Sequence, residues 1–319
     1  MATESRLKDA GFVDLYLGHD YCDIKGMIGE SSRLAPAPAC LADDIARLKS
    51  ACLHCHQAEN RNEFSLLFDE RLYRVTVTRD AYKQLAFVIR QTPDRIRAIN
   101  EVGLTSELIT LISEEKKTGL ILVSGAMGTG KTTTAAAIVS EKIKKSGLLG
   151  VAIEDPIETL LCGLHGTGRC IQLEVSENED YSLALKRSMR MGANILFIGE
   201  IRDAITAHEA LKASLNGAFV VATLHAASVM DAIERYSMLC NEMHQHANPI
   251  IAKSLFMVTH QRLKAVNRDG QVVAHHVSLE GYHIQSVAAI KAKIKDGNFG
   301  SLIDDFNSID QQRLRQPAR

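Results

Sequence analysis

The densest chemistry in the chain lies in one octet, Gly125-Ala-Met-Gly-Thr-Gly130-Lys131-Thr132, followed by Thr133. Three glycines let a backbone curl until successive amides point inward, and a lysine and a hydroxyl closing such a curl suit phosphate oxygens and a divalent cation. The octet falls between the apolar run GLILVS and the alanine-rich stretch 132–145. It therefore sits between a predicted strand and a predicted helix, whose N-terminal dipole adds to the field on an anion. This context separates it from a chance glycine-rich turn. Gly125, Ala126, Met127, Gly128, Thr129, Gly130, Lys131, Thr132 and Thr133 are expected to bind the phosphates of ATP. Lys131 reaches the β and γ phosphates, and the Thr132 hydroxyl holds Mg²⁺.

Hydrolysis at such a loop needs a carboxylate to orient water and another to organise the metal. Glu154 and Glu158 lie in VAIEDPIE, where Pro156 is expected to end a strand and leave the acids in the loop beyond it. Glu200 ends the apolar run NILFIGE, and His225 follows GAFVVATL. In an open parallel sheet, ligands bind beyond the carboxyl ends of the strands, so these residues are expected to converge on the octet. A single acid or histidine at such a place is ordinarily structural, and the reading rests on several strand ends agreeing.

The elements that must position these residues alternate from Leu108 onward: a helix, the strand GLILVS, the alanine-rich helix, the strand GVAIED, then NILFIGE and GAFVVATLH with helices between. Strands alternating with helices call for a parallel sheet covered on both faces. Before this the pattern differs. Phe64, Leu66 and Phe68 alternate, as do Val75 and Val77, with a turn at Asp69 to Arg71. Leu41, Ile45, Leu48 and Cys52 fall at helical spacing. The expected organisation is a small α+β domain over 1–93, a linker over 94–104 where QTPD and EVG loosen the pattern, and an α/β domain over 105–319 ending in a helical segment.

With 319 residues, two domains are the natural expectation, and 37 Lys plus Arg against 38 Asp plus Glu removes the footprint of a protein that binds nucleic acid over a wide surface. The sequence has no apolar run of the roughly 18 to 20 residues that span a bilayer, and its start, MATESRLKDAG, does not read as an export signal. A cytoplasmic location is expected, with the seven cysteines reduced.

GAMGTGKTTT, IEDPIE, ILFIGEIRD and TLHAAS stand in this order along the chain. In this they resemble the Walker A element, aspartate box, Walker B element and histidine box of the PilT, PilB and GspE superfamily of secretion ATPases. The resemblance implies a RecA-like ATPase domain preceded by a PAS-like one, assembled as a homohexamer. Such a motor drives type IV pilus retraction, or type IV secretion and conjugation, at the cytoplasmic face of the inner membrane. Its partners would be platform or secretion-channel proteins, which also bring it to the membrane, with no direct contact to nucleic acid. By the same resemblance Glu154 is the general base, Glu158 a supporting acid, Glu200 the Mg²⁺ organiser and His225 a sensor of nucleotide state. YRVTVTRD and FVIRQTP resemble the PAS-like domain, which makes Arg74, Arg79 and Arg90 candidates to face the γ phosphate. Where family members often carry QREVG, this chain has Gln172-Leu173-Glu174-Val175-Ser176, without the arginine. The alternative is a regulatory subunit that binds nucleotide with little turnover.

Two further patterns yield to plainer readings. Cys52-Leu-His-Cys55-His56 has haem-attachment spacing but sits on an amphipathic helix pattern. Cys162 with His165 and Cys170, and Cys240 with His244 and His246, lack standard zinc spacing. Near the C-terminus Ala289-Ile-Lys-Ala-Lys-Ile-Lys-Asp296 loosely resembles the AIRNLIRE segment of retraction motors. Read as a helix, it docks Val287, Ile290 and Ile294 on the core and stacks Lys291 and Lys295 one turn apart.

Overall fold

The computed structural model describes residues 6–27, 33–176, 180–268 and 271–315, with the backbone alone for 265–268 and 271–276. The chain divides into two compact units. The first is Met1–Arg95 with Glu154–Leu160 and Glu174–Ser176; the second is Ile96–Ile153, Leu161–Leu173 and Glu177–Arg319.

In the first unit the strands are β1 (Asp14–Leu17), β2 (Cys22–Lys25), β3 (Leu34–Pro36), β4 (Glu63–Phe68), β5 (Arg71–Arg79) and β6 (Leu85–Gln91), and the helix is α1 (Ala42–Glu59). Among the described residues they form an antiparallel sheet ordered β3-β2-β1-β6-β5-β4. The β4–β5 hairpin turns on Asp69 and Glu70, both at positive φ (47° and 63°), the twist a two-residue hairpin demands. α1 buries Ile45, Leu48 and Cys52 in a core with Leu15, Phe64, Tyr73, Val75 and Ile89. The helical spacing of the first three residues had made this stripe legible.

The second unit contains α2 (Ser106–Ser113), β7 (Gly119–Gly125), α3 (Lys131–Ser146), β8 (Leu149–Glu154), β9 (Gly163–His165), β10 (Gly168–Glu174) and α4 (Tyr181–Arg190). It continues with β11 (Ile195–Ile198), α5 (Ala204–Leu215), β12 (Phe219–Leu224), α6 (Val229–Met243), α7 (Asn248–Ser254), β13 (Leu255–Arg268), β14 (Gln271–His283), α8 (Ala288–Lys295) and α9 (Leu302–Arg315). The sheet order is β14-β13-β7-β12-β11-β8-β10-β9, and β13, β7, β12, β11 and β8 run parallel. After β7 the chain builds β8, β11 and β12 on one side, then crosses to lay β13 on the other. β7 thus lies at the reversal of strand order, where open α/β sheets place their ligands.

Burial explains the strand sequences. Leu120, Ile121, Leu122 and Val123 of β7 are all fully buried, as a strand covered on both faces must be, so they read as an unbroken apolar run. Ala135, Ala136 and Ala137 of α3 are buried as well, and small side chains allow a helix to approach a sheet closely. α4, α5 and α6 are each capped by a side chain: Asp180, Asp203 and Ser228 accept from the amides of Leu183, Thr206 and Asp231 at 2.8, 2.8 and 3.1 Å.

α3 also carries a charge into this core. Lys142 of α3 is 1% exposed, lies with its Nζ 4.6 Å from the centre of the Phe219 ring, and donates to the carbonyls of Glu114 at 2.5 Å and Glu115 at 3.2 Å, just beyond α2. It closes that helix end as a cation should. Burial pushes its ammonium down to about 8, with the carboxylates of Glu114 and Glu115 acting in the other direction. An unfolded lysine keeps its proton to about pH 10.4, so between those values the unfolded chain binds more protons and stability rises with pH. Urea melts of the wild type and Lys142→Met from about pH 8 to about pH 10 should show the difference in unfolding free energy growing in favour of the wild type. A difference that stays flat across that range would mean that the ammonium is not desolvated.

Candidate functional site

The octet is the turn from β7 to α3. Gly125 closes the strand at φ 153°, and Gly128 and Gly130 follow at 73° and 89°. At Gly125 the constraint is also one of space, because a Cβ there would meet the Gln261 carbonyl oxygen at 2.5 Å and Thr129 Oγ1 at 2.7 Å. Within the turn, Thr129 Oγ1 and Lys131 Nζ each donate to the Ala126 carbonyl at 2.9 Å. α3 opens on Gly130 in the left-handed region and has no side-chain cap, so its first amides face the turn without one. Lys131 is the first residue of the helix and 8% exposed, Thr132 and Thr133 are part-buried, and Met127 stands 86% exposed at the tip.

Lys131 also meets His225 Nδ1 at 3.3 Å, and His225 Nε2 lies 3.0 Å from Glu200 Oε1. An ammonium has only donors, so Nδ1 must accept, which leaves the proton on Nε2 directed at the carboxylate. The result is a chain of ammonium, neutral imidazole and carboxylate across the ends of β7, β12 and β11. Arg202 Nε holds the other oxygen of Glu200 at 2.7 Å. The link between these loops is tightened by the Thr223 hydroxyl, which donates to the Gly199 carbonyl, and by the amide of Ile201, which donates to the Thr223 carbonyl at 2.9 Å.

Glu154, Glu158, Arg74, Arg79 and Arg90 belong to the first unit. Glu154 differs from expectation in one respect: it is the last residue of β8 and 2% exposed, not a loop residue. Its carbonyl accepts from Val175 at 2.8 Å, which keeps it in the strand pairing. Glu158 does lie in the loop, its amide donating to Glu154 Oε2 at 3.3 Å.

Strand register separates the arginines. Arg74 and Arg90 are direct partners across β5 and β6 and share one face. Arg79, five residues from Arg74 on the same strand, has the opposite parity and donates to the Lys83 carbonyl at 2.9 Å. Two like charges set opposite each other repel, and each is answered by an acid. Asp14 takes Arg90 through both forks at 2.8 and 3.2 Å, which raises the guanidinium pKa, and Glu158 takes Arg74 at 2.7 Å.

The contacts of four polar residues around these sites were not legible beforehand, although Gln172 and Glu174 stand in the segment that resembles QREVG. Gln172 Oε1 accepts from the amides of Leu161 and Cys162 at 2.7 Å each. Glu174 accepts from the amides of Ser65 and Ile157 at 3.1 and 3.2 Å and pairs with Arg61 at 2.8 Å. These two residues remain where Leu173 replaces the usual arginine, and both tie down the aspartate-box loop. Arg202 is the third. Gln261 of β13, whose amide donates to the Thr129 carbonyl at 2.6 Å, is the fourth, and its only sequence signal is a polar residue ending the run LFMVTHQ.

Among the described residues no group of three or more His, Cys, Asp or Glu is placed to hold a metal. Burial pushes Cys52 up to about 12 and Cys55 up to about 11, as core thiols on α1. His165 is engaged by Ser140 Oγ and the Leu161 carbonyl at 2.8 and 2.7 Å. The donor set of the phosphate loop fits Mg²⁺ in the manner of nucleotide sites, with one hydroxyl (Thr132) and one carboxylate (Glu200) and the remaining ligands left to phosphate oxygens and water.

A family model described as type II/IV secretion system protein matches residues 87–295, and the chain belongs to that family. Among curated relatives, it is 34% identical over 166 residues to the competence protein ComGA of Halalkalibacterium halodurans, covering 51% of this chain and 45% of that one. It is 30% identical over 196 residues to the type IV pilus retraction ATPase PilT of Pseudomonas aeruginosa, covering 60% and 55%. The chain spans about half the length of the curated relatives it matches. A crystal structure of the pilus retraction motor PilT with bound ADP shares the fold at TM-score 0.75 and 24% identity, covering 93% of this chain and 85% of that one.

Proposed function

We propose that the chain is an ATP-hydrolysing motor subunit of a type IV pilus or secretion machine. The observation that carries the reading is the phosphate loop itself, a three-glycine turn at the reversal point of a parallel sheet, with Lys131 linked through His225 to Glu200. Lys131 and the loop amides would bind phosphate, Thr132 and Glu200 would hold Mg²⁺, and bound Mg²⁺ would offset the charge that develops on the transferring phosphoryl group. Glu154 would take the proton of the attacking water, with Glu158 supporting it. His225 would report the state of the γ phosphate through its contact with Lys131. Arg74, Arg79 and Arg90 would supply cationic contacts, with Arg74 and Arg90 acting from one face.

The purified chain should hydrolyse ATP with Mg²⁺, and Lys131→Ala or Glu154→Gln should lower turnover by about 10²-fold or more, the scale on which lost transition-state stabilisation shows. Glu154→Gln should still bind nucleotide, because it keeps its shape and loses its basicity. Normal turnover in both variants would overturn the site. Binding without turnover in the wild type would favour the regulatory-subunit reading instead.

The family relationship further supports assembly into a ring of six with an inner-membrane platform or channel protein as partner, on the cytoplasmic side and without direct nucleic-acid contact. Light scattering with a non-hydrolysable ATP analogue should give the mass of six chains; a monomer at micromolar concentration would count against the motor. The coupling surface is proposed on α8, where Ile290 and Ile294 are fully buried, Lys293 pairs with Asp305 at 2.6 Å, and Lys295 is exposed beside the partly exposed Lys291. The double change Lys291→Glu and Lys295→Glu should leave ATPase rate and folding intact, glutamate being nearly as good a helix former, while pilus retraction or substrate transfer fails in cells. Loss of both activities together would make the segment structural.

A further inference from the structure

Gln261 is 1% exposed at the edge of the phosphate loop, on β13 directly after the buried Thr259 and His260. Three observations bear on it. In the register of β13 against β7 it is the direct partner of Gly125, where the loop begins. Its Nε2 donates to the carbonyl of Thr129 at 2.6 Å, near the end of the loop. Its backbone and side chain fill the space that glycine leaves: a Cβ at Gly125 would meet the Gln261 carbonyl at 2.5 Å and its Cγ at 3.3 Å, and one at Gly130 would meet Nε2 at 3.4 Å. The side chain therefore spans the loop from below, from its first glycine to its last.

The consequence follows from the geometry of the peptide bond. In a planar trans peptide the carbonyl of one residue and the N–H of the next point in opposite directions. An amide that draws the Thr129 carbonyl toward β13 turns the Gly130 N–H away from β13. Gly130 has no side chain to settle its direction, and its φ of 89° lies in a region where glycine moves freely. A loop whose amides must converge on an anion needs such a restraint from outside itself. The orientation of the amide is fixed as well, since only its NH₂ end can face a carbonyl. Its Oε1 is then left buried without a hydrogen-bond partner among the described residues, an arrangement with an energetic penalty.

We infer that Gln261 is a positioning residue for nucleotide binding, which sets the direction of the Gly130 amide by holding the Thr129 carbonyl. The inference rests on the phosphate-loop reading above and adds to it a second strand, β13, on which the affinity of the loop depends. Gln261 acts through the Thr129 carbonyl. It keeps one donor of the loop aimed before nucleotide arrives.

The test uses the full chain with ATP and ADP as probes, measured by binding titration and by steady-state kinetics, beside thermal melts without nucleotide. Gln261→Met keeps the volume, removes the donor and also removes the orphaned acceptor, so its melting temperature without nucleotide should stay close to wild type. Its affinity for ATP and ADP should fall about tenfold, the scale of one hydrogen bond to a charged group, with KM rising more than kcat falls. Gln261→Glu keeps the shape but sets an oxygen against the Thr129 carbonyl and a negative charge beneath the phosphates, and should weaken binding further. Wild-type affinity in both variants would overturn the inference. So would a melting temperature that falls in step with affinity in both, which would make Gln261 a general core residue. Lys131→Ala, run in parallel, separates the two readings: if it too binds normally, the phosphate loop is wrongly assigned and the inference falls with it.

Discussion

The structure depends on the burial of β7 on both faces and along both edges. A strand held between β12 and β13, with every residue from Gly119 to Gly125 out of contact with water, has one register and one exit. That exit is where the chain must turn through three left-handed glycines, and the turn is reproducible only because its starting point is fixed. The side chains that meet there come from the strands beside it: His225 beyond β12, Glu200 beyond β11 and Gln261 on β13. A parallel sheet delivers its carboxyl ends to one side, so residues far apart in sequence arrive together without further instruction.

The first unit solves a different problem, that of carrying positive charge across a sheet face. Arg74 and Arg90 lie opposite each other, and the register continues the row through Asp14 and Lys25 on one side and Ser65 on the other. Asp14 has a nearly buried side chain, 4% exposed, and removing Arg90 would strand its carboxylate there. Arg74 is held more lightly, because the Glu158 that it meets has a side chain 39% exposed. Of the two arginines on this face, Arg74 is therefore the one that can change partner at lower cost.

What the sequence revealed and what it hid divide along a physical line. Runs such as LILV and ILFI announce buried parallel strands, because burial on both faces leaves no choice of residue. The glycine turn was legible because left-handed φ angles select glycine. The faces of the arginines were hidden, since a period of two gives relative parity along one strand but not the pairing between strands. Lys142 and Gln261 were hidden for another reason: each is a buried polar residue, where pattern alone predicts exposure or error. The sequence pulled Glu154 two ways, into the strand GVAIED and into the loop around Pro156, and the backbone hydrogen bond from Val175 decides for the strand. Glu174 and Gln172 act through contacts to backbone amides of distant segments, which leave no trace in local spacing.

The contact between Lys131 and His225 has a logical consequence. While the ammonium rests on Nδ1, the imidazole has no site for a second proton, because its other nitrogen already bears one toward Glu200. Nδ1 has one lone pair, so it can hold the lysine or a proton but never both. An anion that draws Lys131 away empties that position, and the contact of Nε2 with Glu200 is then what keeps the ring in place between two strand ends.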